Sequence, residues 1–251
     1  MLAKDILPIP DILSARSVLV VQPHPDDADI GAGGTIARLA RAGATVNLVT
    51  MTDGSRGTMD PAQSMEVLAR TRRQEQEQAA RATGIKELLF LDYPDGELPS
   101  GAEPRDRLIS IIRRYRPDLV MTVDPWLAYE AHPDHRLTGL AVAAACLFSA
   151  MPTFNPEDLA TGLALHAPSM VAFFGTAHPN QFVDVDETWD NKRAAISAHQ
   201  SQFSGQMLAL YLYYLELKAR ELAAGRGPQR VEAFKVLTPT HLHYNVDALV
   251  S

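Results

Sequence analysis

Four short apolar runs decide the fold class of this chain. SVLVVQ (17–22), TVNLVTMT (45–52), ELLFLDY (87–93) and LVMTVDP (119–125) are rich in Val, Leu and Thr, as strands covered on both faces are. Between them lie GTIARLARAG, SMEVLARTRRQEQEQAARATG and PRDRLISIIRRYRP, each helical in pattern and closed by a Gly or Pro stop signal. The alternation predicts an α/β fold, a Rossmann-like three-layer sandwich with a mostly parallel sheet and right-handed crossovers. After Met151 the pattern loosens into an elaborated C-terminal third. There MVAFFG reads as a fifth strand, FVDVDETWDNKRAAISAHQSQF as a strand or turn leading into a helix, QMLALYLYYLELKARELAAG as a helix with a wide apolar face, and PQRVEAFKVLTPTHLHYN as a tail. No repeat or linker interrupts the 251 residues, so one domain over 1–251 is expected, with 1–150 as its core and 151–251 as its elaboration.

A chain of this length buries about three quarters of its unfolded surface in one unit and needs no disulfide or metal merely to hold its core. Its 23 Lys and Arg against 30 Asp and Glu give a net charge of -7. That balance argues against nucleic acid or an anionic membrane as a partner, since both require a concentrated positive field. A neutral or cationic small molecule fits better. The single cysteine, Cys146, lies in the apolar run LAVAAACLF and reads as a buried thiol, which suits a reducing cytoplasm. The segment MLAKDILPIPDIL lacks the basic start and unbroken apolar stretch of a signal peptide, so a cytoplasmic location is expected. LTGLAVAAACLFSAM, at about 15 residues, is short for a membrane span and reads as a buried helix.

In open α/β sheets ligands bind beyond the C-terminal strand ends, and here those ends carry PHPDDAD, TDGSRG, DYPDGE and DPWLAYEAHPDH. All four are rich in carboxylates or histidines. GAGG, with Asp53 some 20 residues on, superficially suggests a dinucleotide fingerprint, but the intervening acids repel a pyrophosphate. A cation accounts for the crowding. His24, Asp26 and Asp27, with His132, Asp134 and His135, offer the imidazoles and carboxylates of a catalytic zinc site. The i, i+3 spacing of His24 with Asp27, and of His132 with His135, lets two side chains converge, and Pro133 suits the first position of a helix.

With these residues the chain resembles the LmbE-like, or PIG-L, family of zinc-dependent N-deacetylases. The likeness is carried by PHPDDADIGAGGT, RTRRQEQEQAARATG, YPDGEL, HPDH and KRAAISAHQSQF. Ala28 departs from it, because many relatives have Glu directly after the two aspartates. Within the family the wording is similar to the branch that deacetylates diacetylchitobiose and N-acetylglucosamine. The resemblance implies a zinc ion (other divalent metals being possible) held by His24, Asp27 and His135, with positions left for water and substrate. It makes Asp26 the general base, and His132, as an imidazolium, the group that stabilises the oxyanion or protonates the departing amine. Asp134 then caps its helix or orients His135, and Asp29 is structural. The expected activity is removal of the acetyl group from N-acetylglucosamine-type sugars. Deacetylation of a sugar-thiol precursor or another amide is the alternative, and a non-catalytic metal-dependent carbohydrate-binding protein a second.

Other positions carry weaker signals. The resemblance gives Arg72 a substrate contact, although an arginine in ARTRRQEQEQ is also a common solvated residue. Asp95 in YPDG can meet sugar hydroxyls or simply form a turn, and Trp126, just after the fourth strand, can lie against a pyranose face. His199, His241 and His243 match positions at which relatives complete the pocket, in some cases across a subunit boundary. His243 is retained as a substrate-binding candidate. His166 and His178 carry no motif. The tyrosine-rich YLYYLELKAREL reads as core or as an oligomer contact, and with the resemblance it favours a homo-oligomer.

Overall fold

The structure, a computed structural model, describes residues 6–243 and 246–249. The four expected runs form β1 (Ser17–Gln22), β2 (Thr45–Thr52), β3 (Glu87–Tyr93) and β4 (Leu119–Val123), and MVAFF forms β5 (Met170–Phe174). β6 (Gln181–Asp184) and β7 (Val231–Leu237) complete a seven-stranded sheet of order β3-β2-β1-β4-β5-β7-β6. β1 pairs in parallel with β2 and β4, and the parallel pairing extends to β3 on one side and β5 on the other. β7 runs antiparallel to both β5 and β6.

The strand pleat divides the core in two. Val18 and Val20 face one side, packed with Ile36 and Leu39 of α1 (Asp27–Arg41). Leu19 and Val21 face the other, where they join Leu108 and Ile109 of α3 (Ala102–Tyr115) and Val142 and Cys146 of α4 (Pro133–Phe148). α2 (Met65–Thr83) lies on the α1 side, against α1 and α6 (Trp189–Ala198). Ser64 caps α2, its hydroxyl accepting the Val67 N–H, and Gly84 closes the helix at φ 81°. The short α5 (Pro156–Ala160) and the long α7 (Gly205–Ala223) complete the helices of the described residues. None is long and apolar enough to cross a membrane.

Two features depart from the expected elements. α1 starts at Asp27, well before the GTIARLARAG stretch, so the glycine cluster lies inside a helix. A Cβ on Gly31 would stand 2.2 Å from the ring of Phe174, which shows that this glycine lets α1 close down on β5 instead of cradling a phosphate. The second feature is β7, a strand within the tail PQRVEAFKVLTP. Its Glu232 is buried, paired with Lys192 at 2.5 Å and accepting the N–H groups of Gly34 and Thr35 at 3.1 and 2.7 Å. A charged side chain is stable there because every charge meets a partner.

Candidate active site

The turns leaving β1, β3 and β4 bring the two histidine-aspartate pairs together, and the site grows from the turn after β1. That turn is held by two buried glutamines. Gln22 accepts the Ala28 N–H at 2.9 Å and donates to Thr50 Oγ1 and to Gln76 Oε1, at 2.9 and 2.8 Å. Gln76, from α2, also accepts the Asp26 N–H at 3.0 Å and donates to Asp29 at 3.0 Å. Asp26 has φ 98°, a backbone conformation in which a side chain is strained and which persists only where its surroundings enforce it.

Three donors converge next to Asp26. The Oδ2 atom of Asp27 lies 3.2 Å from His24 Nδ1 and 3.5 Å from His135 Nε2. Four-coordinate zinc with bonds of about 2.0–2.2 Å sets its ligand atoms roughly 3.4 Å apart, so these three fit such an ion. All three offer ligand atoms within 4.8 Å of one another. The other nitrogen of His24 faces Asp134 at 3.2 Å and Asp95 at 3.1 Å. Burial acts to lower the His24 pKa, yet Asp134, Asp27 and Asp95 together push it up to about 11, so this is a place that favours positive charge. Burial likewise acts to raise Asp27, but the hydrogen bond from His24 and the His135 charge hold it below the usual carboxylate range. Asp26, which burial and the adjacent Asp27 push up to about 7, opposes Arg72, His199 and His24, whose charges act to lower it.

Around these donors stand further partners, among them Glu130, which no sequence motif marks. Glu130 holds His135 Nδ1 at 3.1 Å, which leaves Nε2 for the Asp27 side. Asp134 is buried and accepts the N–H groups of Gly96 and Leu98 at 2.7 and 3.2 Å, so it orients His24 and not His135. His132 is the N-cap of α4, its Nδ1 accepting the Asp134 N–H at 3.3 Å. That bond commits the Nδ1 lone pair and leaves the proton on Nε2. Burial and the two neighbouring histidines lower its pKa. With Nδ1 engaged, Nε2 is the ring nitrogen of His132 left to donate.

The remaining candidates divide between two hollows that share no lining residue. Arg72 and Asp95 line a cleft of about 330 Å³ together with His24, Asp26, His132 and Gln202. Both are buried and engaged. Arg72 donates to Gly54 O at 2.9 Å and Pro25 O at 2.6 Å, and reaches Asp26 Oδ2 at 3.2 Å. Gly54, at φ 63°, makes room for it, since a Cβ there would stand 2.6 Å from the guanidinium. Asp95 gives its second oxygen to the Arg56 N–H at 2.9 Å. From their places in the cleft wall these two side chains hold Asp26 and His24.

Trp126 and His243 line a separate, largely apolar hollow of about 440 Å³ beside Phe173 and Lys235, so the structure does not join them to the cleft. Trp126 meets the Phe173 ring edge-on at 5.4 Å. His199 is buried against Asp29 at 3.0 Å, behind the Asp26 turn. His241 Nδ1 bonds Thr238 Oγ1 at 2.7 Å, and His166 reaches Pro117 O at 2.8 Å.

The chain is 39% identical, over 91% of its length and 85% of the relative's, to a diacetylchitobiose deacetylase of Thermococcus kodakarensis. The structure superposes with a TM-score of 0.89 and 36% identity on the N,N'-diacetylchitobiose deacetylase of Pyrococcus horikoshii in complex with an inhibitor, covering 98% of this chain and 97% of that one. A 4-carboxy-2-hydroxymuconate hydratase of Pseudomonas putida shares the fold at a TM-score of 0.76 and 23% identity, covering 89% of this chain and 97% of that one. Residues 19–146, which run from within β1 past β4 and include both histidine-aspartate motifs, match the PIG-L family, described as GlcNAc-PI de-N-acetylase, and the chain belongs to that family.

Proposed function

We propose that this protein is a metal-dependent hydrolase that removes the acetyl group from the nitrogen of N-acetylglucosamine-type sugars such as diacetylchitobiose, releasing acetate and a free amine. The observation that carries this reading is the placement of Asp26. It adjoins a donor set suited to zinc without belonging to it, and it lines the cleft beside His132. The hydratase with the same fold means that architecture alone does not choose the reaction, so the reading rests on these side chains and on the 39% identical relative.

His24, Asp27 and His135 would hold the ion. When bound, zinc supplies Lewis acidity that polarises the amide carbonyl and acidifies a nearby water. Asp26 takes the proton from the attacking water and passes it to the departing nitrogen. Its carboxylate is aimed for both transfers by the Arg72 contact. The Nε2–H of His132 donates to the carbonyl oxygen as negative charge develops there. A neutral imidazole at a helix N-terminus suits that task, because it donates without adding a second cation. Asp95 and Asp134 keep His24 turned toward Asp27.

The whole chain is read as one deacetylase unit, its residues 151–251 adding β5 to β7 to the sheet and Gln202 to the cleft wall. A reducing, cytoplasmic setting is supported by the buried free thiol of Cys146, and self-association by the exposed apolar face of α7. The test is acetate release from N-acetylglucosamine, diacetylchitobiose and a non-sugar acetamide, with zinc and with chelator. Chelator-sensitive release from the sugars is expected. Release from the acetamide alone would transfer the reading to a different amide, and bound zinc without release from any of the three would overturn it.

A further inference from the structure

TDGSRG, leaving β2, and YPDGE, leaving β3, each carry a charged side chain that the proposed reaction does not use, Arg56 in the first and Glu97 in the second. Asp53 ties the two turns together, its Oδ1 accepting the N–H groups of Ser55 at 2.9 Å and Asp95 at 3.2 Å. A further tie runs from the Arg56 N–H to Asp95 Oδ2 at 2.9 Å, and the other oxygen of Asp95 faces His24 at 3.1 Å. Across this joint the Arg56 guanidinium meets the Glu97 carboxylate. Gly96 lies against it, since a Cβ there would stand 3.3 Å from Nη1. The two side chains are 48 and 56% exposed, and so open a pair adds little to stability. Its place beside the cleft gives it another use.

Arg56 and Gly96 are the exposed residues among those that line the cleft, so they mark its mouth. A unit attached to the reacting sugar and passing out there meets guanidinium donors and carboxylate acceptors side by side. Hydroxyl groups, which both donate and accept, suit the two together. A carboxylate suits only the guanidinium and would stand next to Glu97. The charges of Glu97, Asp95 and Asp53 all act on Arg56 and raise its pKa, so the mouth carries one guanidinium against three carboxylates. On the reading of the site as a sugar deacetylase, we propose that Arg56 and Glu97 are specificity-determining residues, which admit a neutral, hydroxyl-bearing unit beside the reacting sugar and turn away an anionic one.

The test compares kcat/KM on N-acetylglucosamine, diacetylchitobiose and the N-acetylglucosaminide of malic acid. The wild-type protein is expected to prefer the disaccharide to the diacid conjugate. Glu97→Gln removes the repelling charge and is expected to raise kcat/KM for the diacid conjugate, relative to N-acetylglucosamine, by about tenfold, a gain that added salt screens away. Arg56→Gln keeps the backbone bond to Asp95 and is expected to lower the ratio of disaccharide to N-acetylglucosamine by about tenfold, the worth of a hydrogen bond to a charged group. A wild type that prefers the diacid conjugate, or a ratio that either variant leaves at its wild-type value, would overturn the inference. Equal loss on all three substrates is the mark of a merely structural role and overturns it also. Acetate release from N-acetylglucosamine by the wild type tests the deacetylase reading separately, and in a protein that releases none the same ratios are read as affinities by calorimetry.

Discussion

The side-chain carbonyl of Gln76 lies 3.0 Å from the backbone N–H of Asp26, and this contact from a helix 50 residues away holds the proposed base at φ 98°. A backbone strained in that way costs about 1–3 kcal/mol and relaxes unless it is pinned. Gln76→Leu is therefore expected to lower kcat by roughly 100-fold, the effect of a misplacement of about 1 Å, with KM and zinc content near wild type. Gln76→Glu keeps an acceptor for that N–H and is expected to fall less. A Gln76→Leu enzyme with lower thermal stability but full kcat would reduce Gln76 to a support of the fold.

Asp26→Asn keeps the size of the side chain and removes its basicity. Turnover is expected to fall by about 10²–10⁴-fold, the usual contribution of a positioned general base, while zinc content by elemental analysis stays at the wild-type level. Loss of zinc together with activity would mean that Asp26 belongs to the donor set.

The parts of this molecule that were legible in its sequence are those whose signal is local. Each of the first three strands begins and ends at its apolar run, because strands inside a parallel sheet are drawn mostly from Val, Leu and other apolar residues. The two histidine-aspartate motifs were visible for the same reason, each packing its chemistry into a few residues. β7 was read only as tail, since Glu232 and Lys235 break its apolar pattern, and what makes Glu232 stable, Lys192 and the N–H groups of α1, comes from distant sequence. The Gln22–Gln76 clasp leaves no local trace, its halves being 54 residues apart. For Arg72 and Asp95 the motifs marked the side chains but not their contacts to Asp26 and His24, because a motif shows that a side chain is needed and not which atom it faces. Glu130 stood five residues before His135, at a spacing without any helical or turn signature to mark it.

Glu130 gives the next prediction. Its carboxylate fixes the His135 ring so that Nε2 faces Asp27. Removing such an outer partner typically weakens metal binding by about 10–100-fold. Glu130→Gln should show that loss in competition with a chelator of known affinity, and should recover wild-type acetate release when zinc is raised to saturation. Unchanged affinity would detach Glu130 from the metal site.

Removal of the ion should also be felt as stability. A ligand that binds the folded chain at about 1,000 times its Kd contributes about 4 kcal/mol, so chelation should lower the melting temperature by several degrees and re-addition of zinc should restore it. His24→Ala is expected to melt at one temperature with or without zinc. A zinc-dependent shift that survives in His24→Ala would place the ion elsewhere.

Behind the site, His199 and Asp29 form a fully buried pair at 3.0 Å, and its dependence on pH has a definite sign. Burial acts to lower the His199 pKa, but the Asp29 hydrogen bond and the nearby Asp29, Asp26 and Glu75 charges outweigh it and raise the group above its ordinary value. A histidine raised on folding binds its proton more tightly in the native chain than in the unfolded one. Its contribution to stability is therefore complete below the unfolded pKa of about 6.5 and is lost as pH rises through the folded value. His199→Gln breaks the pair and leaves Asp29 with the Gln76 amide as its remaining side-chain partner, a change that costs about 3–5 kcal/mol where a buried pair is truncated. Urea unfolding at pH 6 should show that full gap between wild type and His199→Gln, and the gap should narrow steadily toward pH 9. A gap that stays constant over this range would mean that His199 is neutral in the folded protein and that its bond to Asp29 is an ordinary hydrogen bond.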